Sequence, residues 1–295
     1  MVMAVALLLV AAPWRGSAGR MSAGALPPQT ETVIFVVNGE QGEAGEARTY
    51  SMDALVVLKG GKYLSPMDEY NEKSKQTFAD KFYRKGQKYR LLFGGGEAGT
   101  ATVQGWQEGC NAIHASINVE SAANIRGRIW ALATNSESLG KSKGSRRALT
   151  SAERAAAMTL ATDIYRQHKT PPASLRQIKN VNFTATDLDG DGQFEVIGDF
   201  QIPTRDEING QRRDLFLIAK PSGKGFRAEL AAFQSYKMDS GFGRGTGFLD
   251  QLDIDGDGTS EVITLDEGFD AYGYSIYKKQ NGKWQVIYTA TGDAC

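Results

Sequence analysis

The run Asp187-Leu188-Asp189-Gly190-Asp191-Gly192-Gln193-Phe194-Glu195-Val196-Ile197 returns as Asp253-Ile254-Asp255-Gly256-Asp257-Gly258-Thr259-Ser260-Glu261-Val262-Ile263. Nothing else in the chain restricts its fold as strongly. Each run sets carboxylates at loop positions one, three, five and nine, with glycine at six, where the backbone must turn sharply to wrap oxygen ligands around one ion. Three or four carboxylates within a few Å repel one another, so at neutral pH such a loop needs a cation or strongly shifted protonation. Hard oxygen donors at this density suit calcium, and two loops imply two Ca2+ ions. Solvated acidic turns are the plain alternative, because Asp and Gly are ordinary turn formers. Chance rarely repeats this ligand spacing together with the same Glu-Val-Ile exit.

The residues beyond position nine separate each loop from an EF-hand, which needs a bidentate Glu at position twelve and a helix after it. Gly198 and Thr264 stand at position twelve instead. The residues after position nine (Val196, Ile197, Phe200, Ile202; Val262, Ile263, Leu265) are β-branched or apolar in runs too short for a helix, so each loop joins two strands. Val181–Ala185 and Phe248–Leu252 supply the strands that lead in.

The pattern Asp-x-Asp-x-Asp-Gly-x-x-Glu between two strands resembles the calcium loop of FG-GAP repeats, the integrin-α-type and VCBS-like β-propeller blades. The resemblance implies that Asp187, Asp189, Asp191 and Glu195 give side-chain oxygens and Gln193 a backbone carbonyl. In the second loop it implies Asp253, Asp255, Asp257 and Glu261, with the Thr259 carbonyl. It covers about a third of the chain. The Gly-Ala-Pro signature of the family is absent after the second strand, and two repeats are visible where a closed propeller has at least four blades.

The two segments continue in parallel. Arg213–Ala219 leads through Pro221-Ser222-Gly223-Lys224-Gly225 to Phe226–Leu230, and Tyr272–Tyr277 leads through Asn281-Gly282 to Trp284–Tyr288. Asn-Gly between alternating apolar runs is a strong hairpin signal. Each repeat therefore reads as four antiparallel strands, over 176–236 and 245–291. Their open edges and faces require cover from each other, from the preceding helix or from the N-terminal half.

Residues 31–134 read as a small β-rich domain, a sheet or barrel, with strands at Thr32–Val37, Leu55–Leu58, Tyr89–Phe93 and Ile129–Leu132. A helix is expected from Ser65, with Pro66 in its first turn, to about Arg84. Gly94-Gly95-Gly96 lacks the Gly-Lys-Ser/Thr ending of a phosphate loop and reads as a hairpin turn. Residues 135–149, rich in Ser, Gly, Lys and Arg, read as a solvated linker. Thr150-Ser151-Ala152-Glu153 is a capping box that opens a helix to about Gln167, with Ala157, Leu160, Ala161 and Ile164 as its apolar stripe. The fold class expected is mainly β with a few helices, α+β, the helix and two blade-like repeats filling 150–295.

Basic and acidic residues balance at 34 each, which argues against a nucleic-acid partner, and no stretch approaches the ~20 apolar residues of a membrane span. Val2–Ala12 is a short apolar run followed by small residues up to Ala25, which suits a secretory signal peptide over 1–25. Export to the periplasm or the extracellular space would let Cys110 and Cys295 oxidise. Cys110 with His114 as its base is the nearest approach to a nucleophile pair, but no nucleophile signature surrounds it. The reading that results is an exported, calcium-rigidified, non-enzymatic module for adhesion or for binding extracellular protein or glycan. The alternative is a secreted hydrolase with its site in the N-terminal domain and the repeats as accessory module.

Overall fold

The computed structural model describes residues 31–40, 49–68, 70–121, 129–141, 144–204, 210–237, 245–268 and 270–294. The proposed signal segment and Cys295 lie outside the described residues. The protein is mainly β, with antiparallel sheets and a few helices.

The N-terminal half contains β1 (Thr32–Glu40), β2 (Thr49–Lys59), β3 (Lys62–Leu64), α1 (Glu72–Phe82), β4 (Lys88–Phe93), β5 (Gly96–Glu108), β6 (Ile113–Ser121) and β7 (Ile129–Thr134). Their order is β1-β7-β4-β5-β6-β2-β3, and β1 also pairs with β2, so six of the strands close into an antiparallel barrel. Closure removes the exposed edges that an open sheet would carry. Phe35, Met52, Tyr89, Leu91 and Val103 fill the inside together with Phe78, Phe82 and Tyr83 from α1 and its C-cap. The apolar run of β1 is continuous because both of its faces are buried. Val33, Phe35 and Val37 face the barrel core, and Ile34 and Val36 face the sheet packed outside it.

The helix expected from Ser65 is shorter at its start. Ser65 Oγ donates to the Met67 carbonyl at 2.8 Å in a turn, and the helix opens at Asn71, whose side chain accepts the Ser74 N–H at 3.2 Å. Asn71 is the better cap, with Glu72 next to it in the first turn.

The C-terminal half begins with α2 (Ser151–Gln167), capped by the expected reciprocal bonds between Thr150 and Glu153, and α3 (Pro172–Leu175). Then come two four-stranded antiparallel meanders. The first is β8 (Lys179–Thr186), β9 (Glu195–Ile202), β10 (Gln211–Ser222) and β11 (Gly225–Lys237), and the second is β12 (Gly245–Leu252), β13 (Glu261–Glu267), β14 (Ala271–Gln280) and β15 (Lys283–Ala294). The stripe of α2 packs on one face of the first meander through Ala161, Ile164 and Tyr165 against Phe200, Leu215 and Leu217. Ile197, Phe216 and Ile218 on its other face meet Phe248, Val262 and Trp284 of the second. The second meander turns Leu249, Ile263, Leu265 and Tyr274 onto the barrel wall. The layers thus run helix, meander, meander, barrel, and every face that the sequence left open is covered.

The segment 135–149 reads from sequence as a solvated linker, but among its described residues the Arg146 side chain is 14% exposed. Its guanidinium lies between the rings of Phe93 and Phe248, donates to the Leu249 carbonyl at 2.8 Å and faces Asp250 at 3.6 Å. Asp250 in turn accepts the Gly94 N–H at 2.9 Å, so the glycine turn of β4 and β5 does bind an anion, namely a carboxylate of the second meander. Arg147 bridges to β8 through its backbone and clamps Glu153 with two side-chain bonds. Leu139 is also buried. The expectation of full solvation fails at these residues because their partners come from distant strands.

Candidate metal centres

The repeated runs join β8 to β9 and β12 to β13 as predicted. In the first loop, one oxygen each from Asp187, Asp189 and Glu195 converge within 4.8 Å of one another. Asp253, Asp255 and Glu261 do the same in the second loop. These triads can hold metal ions.

Backbone donors aim the carboxylates. Glu195 is buried at the start of β9, and its Oε2 accepts the Leu188 N–H at 3.0 Å. Glu261 repeats this at the start of β13, with the Ile254 N–H at 2.8 Å. The Oε1 atoms of both face the triads and accept no well-directed hydrogen bond. Asp187 Oδ2 accepts the Gly192 N–H at 3.0 Å, and Asp253 Oδ2 the Gly258 N–H at 3.1 Å. Gly192 and Gly258, at loop position six, have φ of 80° and 87°, a conformation that a side chain disfavours.

Asp191 and Asp257 stand outside the triads. Each accepts a loop N–H, from Gln193 at 2.8 Å and from Thr259 at 2.9 Å. Gln193 also turns its side-chain amide to Asp191 at 3.2 Å. The two loops touch, since the Ser260 N–H donates to the Leu188 carbonyl at 2.7 Å.

Two residues that the sequence reading missed enter both sites. Lys220 of β10 places Nζ 2.7 Å from Asp189, 2.8 Å from Asp191 and 3.3 Å from Glu195. Lys278 of β14 contacts Asp255, lies 2.7 Å from Asp257 and 3.1 Å from Glu261. Each comes directly after the residue paired with the second residue of the strand, Ala219 opposite Val196 and Tyr277 opposite Val262. A signal existed: both third-strand runs read from sequence stop one residue before a lysine.

The charges respond as the geometry requires. Burial works to lower the pKa of Lys220, but hydrogen bonds to Asp189 and Asp191 prevail and hold it well above the ordinary lysine range, and Lys278 behaves alike. The lysine bonds hold Asp191 and Asp257 below the usual carboxylate range. Burial pushes Glu195 and Glu261 up.

A second polar cluster joins the barrel to the last meander. His114 Nδ1 lies 2.7 Å from Asp53 and Nε2 3.3 Å from Asp293, while Tyr272 and Tyr274 donate to Asp53 at 3.1 and 2.6 Å. The hydrogen bond to Asp53, against the cost of burial, raises His114 to about 9. The cavity beside it is about 30 Å³, room for no more than a water or two. Cys110 is disulfide-bonded, and both imidazole nitrogens face carboxylates, so the pair does not form a nucleophile and base. The one other cysteine, Cys295, lies outside the described residues. A larger groove of about 470 Å³ beside α1 is lined by apolar residues such as Leu64, Phe78 and Phe82 and by polar ones that include Lys73 and the ion-paired Glu31 and Lys81.

Fold and site together define a mainly β protein with two acidic loops, on paired meanders, whose triads could hold metal ions. The chain matches no protein-family model, and no curated protein or solved structure is significantly similar to it. No helix among the described residues is long and apolar enough to cross a membrane.

Proposed function

We propose that the chain is an exported, non-enzymatic binding or structural module in which two Ca2+ ions rigidify FG-GAP-like repeats. The observation that carries this reading is the pair of buried glutamates, Glu195 and Glu261. Each has one oxygen fixed by a backbone N–H and the other turned, without a directed hydrogen bond, toward two aspartates. Buried carboxylate oxygens of this kind are costly unless cations meet them, and the one lysine ammonium in each loop leaves most of its four carboxylate charges uncompensated. All-oxygen donors on a turning loop fit Ca2+ better than Mg2+, which demands a tight octahedron and keeps its waters. Asp187, Asp189, Asp191 and Glu195, with the Gln193 carbonyl, would hold one ion. Asp253, Asp255, Asp257 and Glu261, with the Thr259 carbonyl, would hold the other. The metal supplies fixed positive charge that braces the meanders, and an affinity on the order of 10⁻⁴–10⁻³ M suits an extracellular module. Loops held on such a scaffold are suited to recognising extracellular protein or glycan.

Thermal unfolding with Ca2+, Mg2+ or chelator, beside Ca2+ titration calorimetry, tests this reading. A calcium-selective rise in midpoint with two ions bound is expected. No shift together with no binding heat would sink the reading.

A further inference from the structure

Each loop already holds a positive charge. Lys220 and Lys278 reach into equivalent places in the two repeats, and each ammonium contacts the two aspartates at positions three and five and the glutamate at position nine. Two of those three carboxylates belong to the triad that can hold a metal. One ammonium does not neutralise either loop, because four carboxylates stand against it. In the first loop, Asp187 Oδ1, Asp189 Oδ1 and Glu195 Oε1 stay buried without a hydrogen bond although Lys220 is present. Glu195 is 1% exposed and Glu261 0%, so in place of water the Oε1 of each has the lysine ammonium, at 3.3 and 3.1 Å.

We propose that Lys220 and Lys278 are tethered cations, each seated in its acidic loop until Ca2+ displaces it, and that the two lysines thereby set how tightly the loops take the metal. The inference rests on the calcium reading of the two loops. A divalent ion brings more charge and more coordination directions than an ammonium, which offers three donors at most. The lysine stem is a flexible four-carbon chain, and the aspartates at positions three and five, 25% and 35% exposed in the first loop, open toward solvent, which gives the ammonium a way out. The ammonium relieves the carboxylate repulsion when the metal is scarce, so the meanders keep their fold and the ion adjusts stability instead of switching the fold on.

The test uses the full chain with Lys220→Met and Lys278→Met, purified in Ca2+, and Lys283→Met as a control that removes the same charge from an exposed site. Ca2+ titration calorimetry and thermal unfolding in chelator are read together. Each loop variant should bind one Ca2+ at least about tenfold more tightly than the parent and melt lower in chelator, with Ca2+ restoring the midpoint. The control should do neither. Should a methionine variant not fold, Lys220→Arg and Lys278→Arg, which keep the charge, should stay folded in chelator and bind Ca2+ no more tightly than the parent. Two ions bound by the parent with unchanged affinity in the methionine variants would overturn the lysine inference and leave the calcium reading standing. Binding seen only after a lysine is removed would mean that the ammonium holds the loop and Ca2+ does not displace it, which would overturn both the displacement and calcium occupancy of the parent. Absence of binding heat in every protein would overturn both.

Discussion

Loop 187–195 and loop 253–261 share one pattern of residues in different surroundings. The first keeps three carboxylate oxygens buried without a hydrogen bond, on Asp187, Asp189 and Glu195, where the second keeps one, on Glu261. Asp253 accepts with both oxygens, from the Gly256 and Gly258 N–H groups, and Asp255 is 46% exposed where Asp189 is 25%. Their neighbours differ as well. Leu188 of the first loop is buried between the two meanders, whereas Ile254 of the second packs toward the barrel. Tyr63 of β3 belongs to the same barrel-facing cluster, and its pKa is raised by burial and then by the nearby charge of Glu261. Identical ligand spacing therefore does not fix how strongly a loop needs its cation. The environment decides how many oxygens water and backbone have already satisfied, and the first loop is left with more for a metal to satisfy.

The largest effect expected is loss of the calcium response. Asp189→Ala with Asp255→Ala should remove the Ca2+-dependent stabilisation, about 5 kcal/mol for two sites at a hundredfold excess over Kd. The single variants divide the loops. Asp189→Ala should delete the tighter binding event and Asp255→Ala the weaker, as resolved by titration calorimetry. Equal affinities at the two sites would break the comparison.

The next effect concerns where each loop is anchored. Leu188→Ala and Ile254→Ala should each destabilise by roughly 2–5 kcal/mol, because both side chains are buried. Leu188→Ala opens the contact between the meanders, and Ile254→Ala the contact with the barrel. Hydrogen exchange should show increased opening at β9 and β10 for Leu188→Ala, and at β13 and β2 for Ile254→Ala. The same pattern for both variants would mean that the loops brace one joint.

The range of each interaction decides how far it can be read from sequence. The loops, the four-stranded repeats and the capping box of α2 are set by residues a few positions apart, and local spacing revealed them. The lysines were missed because strand pairing, not spacing, brings Lys220 to Glu195 and Lys278 to Glu261, and the two sequence separations differ. Barrel closure depends on β1 meeting both β2 and β7, the latter far along the chain. Arg146 sits among Ser, Gly and Lys, so composition made its segment look solvated, although its ring partners Phe93 and Phe248 hold it between two sheets.

A pH effect should separate the two sides of the second meander. The His114 cluster ties that meander to the barrel, on the side that Ile254 faces, and does not touch the joint of Leu188. Its folded pKa of about 9 lies above the ordinary 6.5, so its stabilisation is fully present below about pH 6.5 and is lost as pH rises through 9. The loss should reach at most about 3 kcal/mol. His114→Gln should flatten the decline of the midpoint between pH 6.5 and 9. An unchanged pH profile in that variant would remove the cluster from the account.

The smallest effect is a predicted equality. Gly192 and Gly258 hold φ of 80° and 87°, and a Cβ added at either meets nothing within 4 Å. Alanine there clashes with no neighbour, so the cost is backbone strain alone, about 1 kcal/mol at each site. Both N–H groups also fix the aspartate at position one of their loop, at 3.0 and 3.1 Å, and both variants should therefore weaken calcium binding slightly and to the same extent. If Gly192→Ala and Gly258→Ala match in stability and calcium response while the aspartate variants do not, the difference between the loops lies in the oxygens left unsatisfied. A clear inequality between the glycine variants would place it in the backbone path itself.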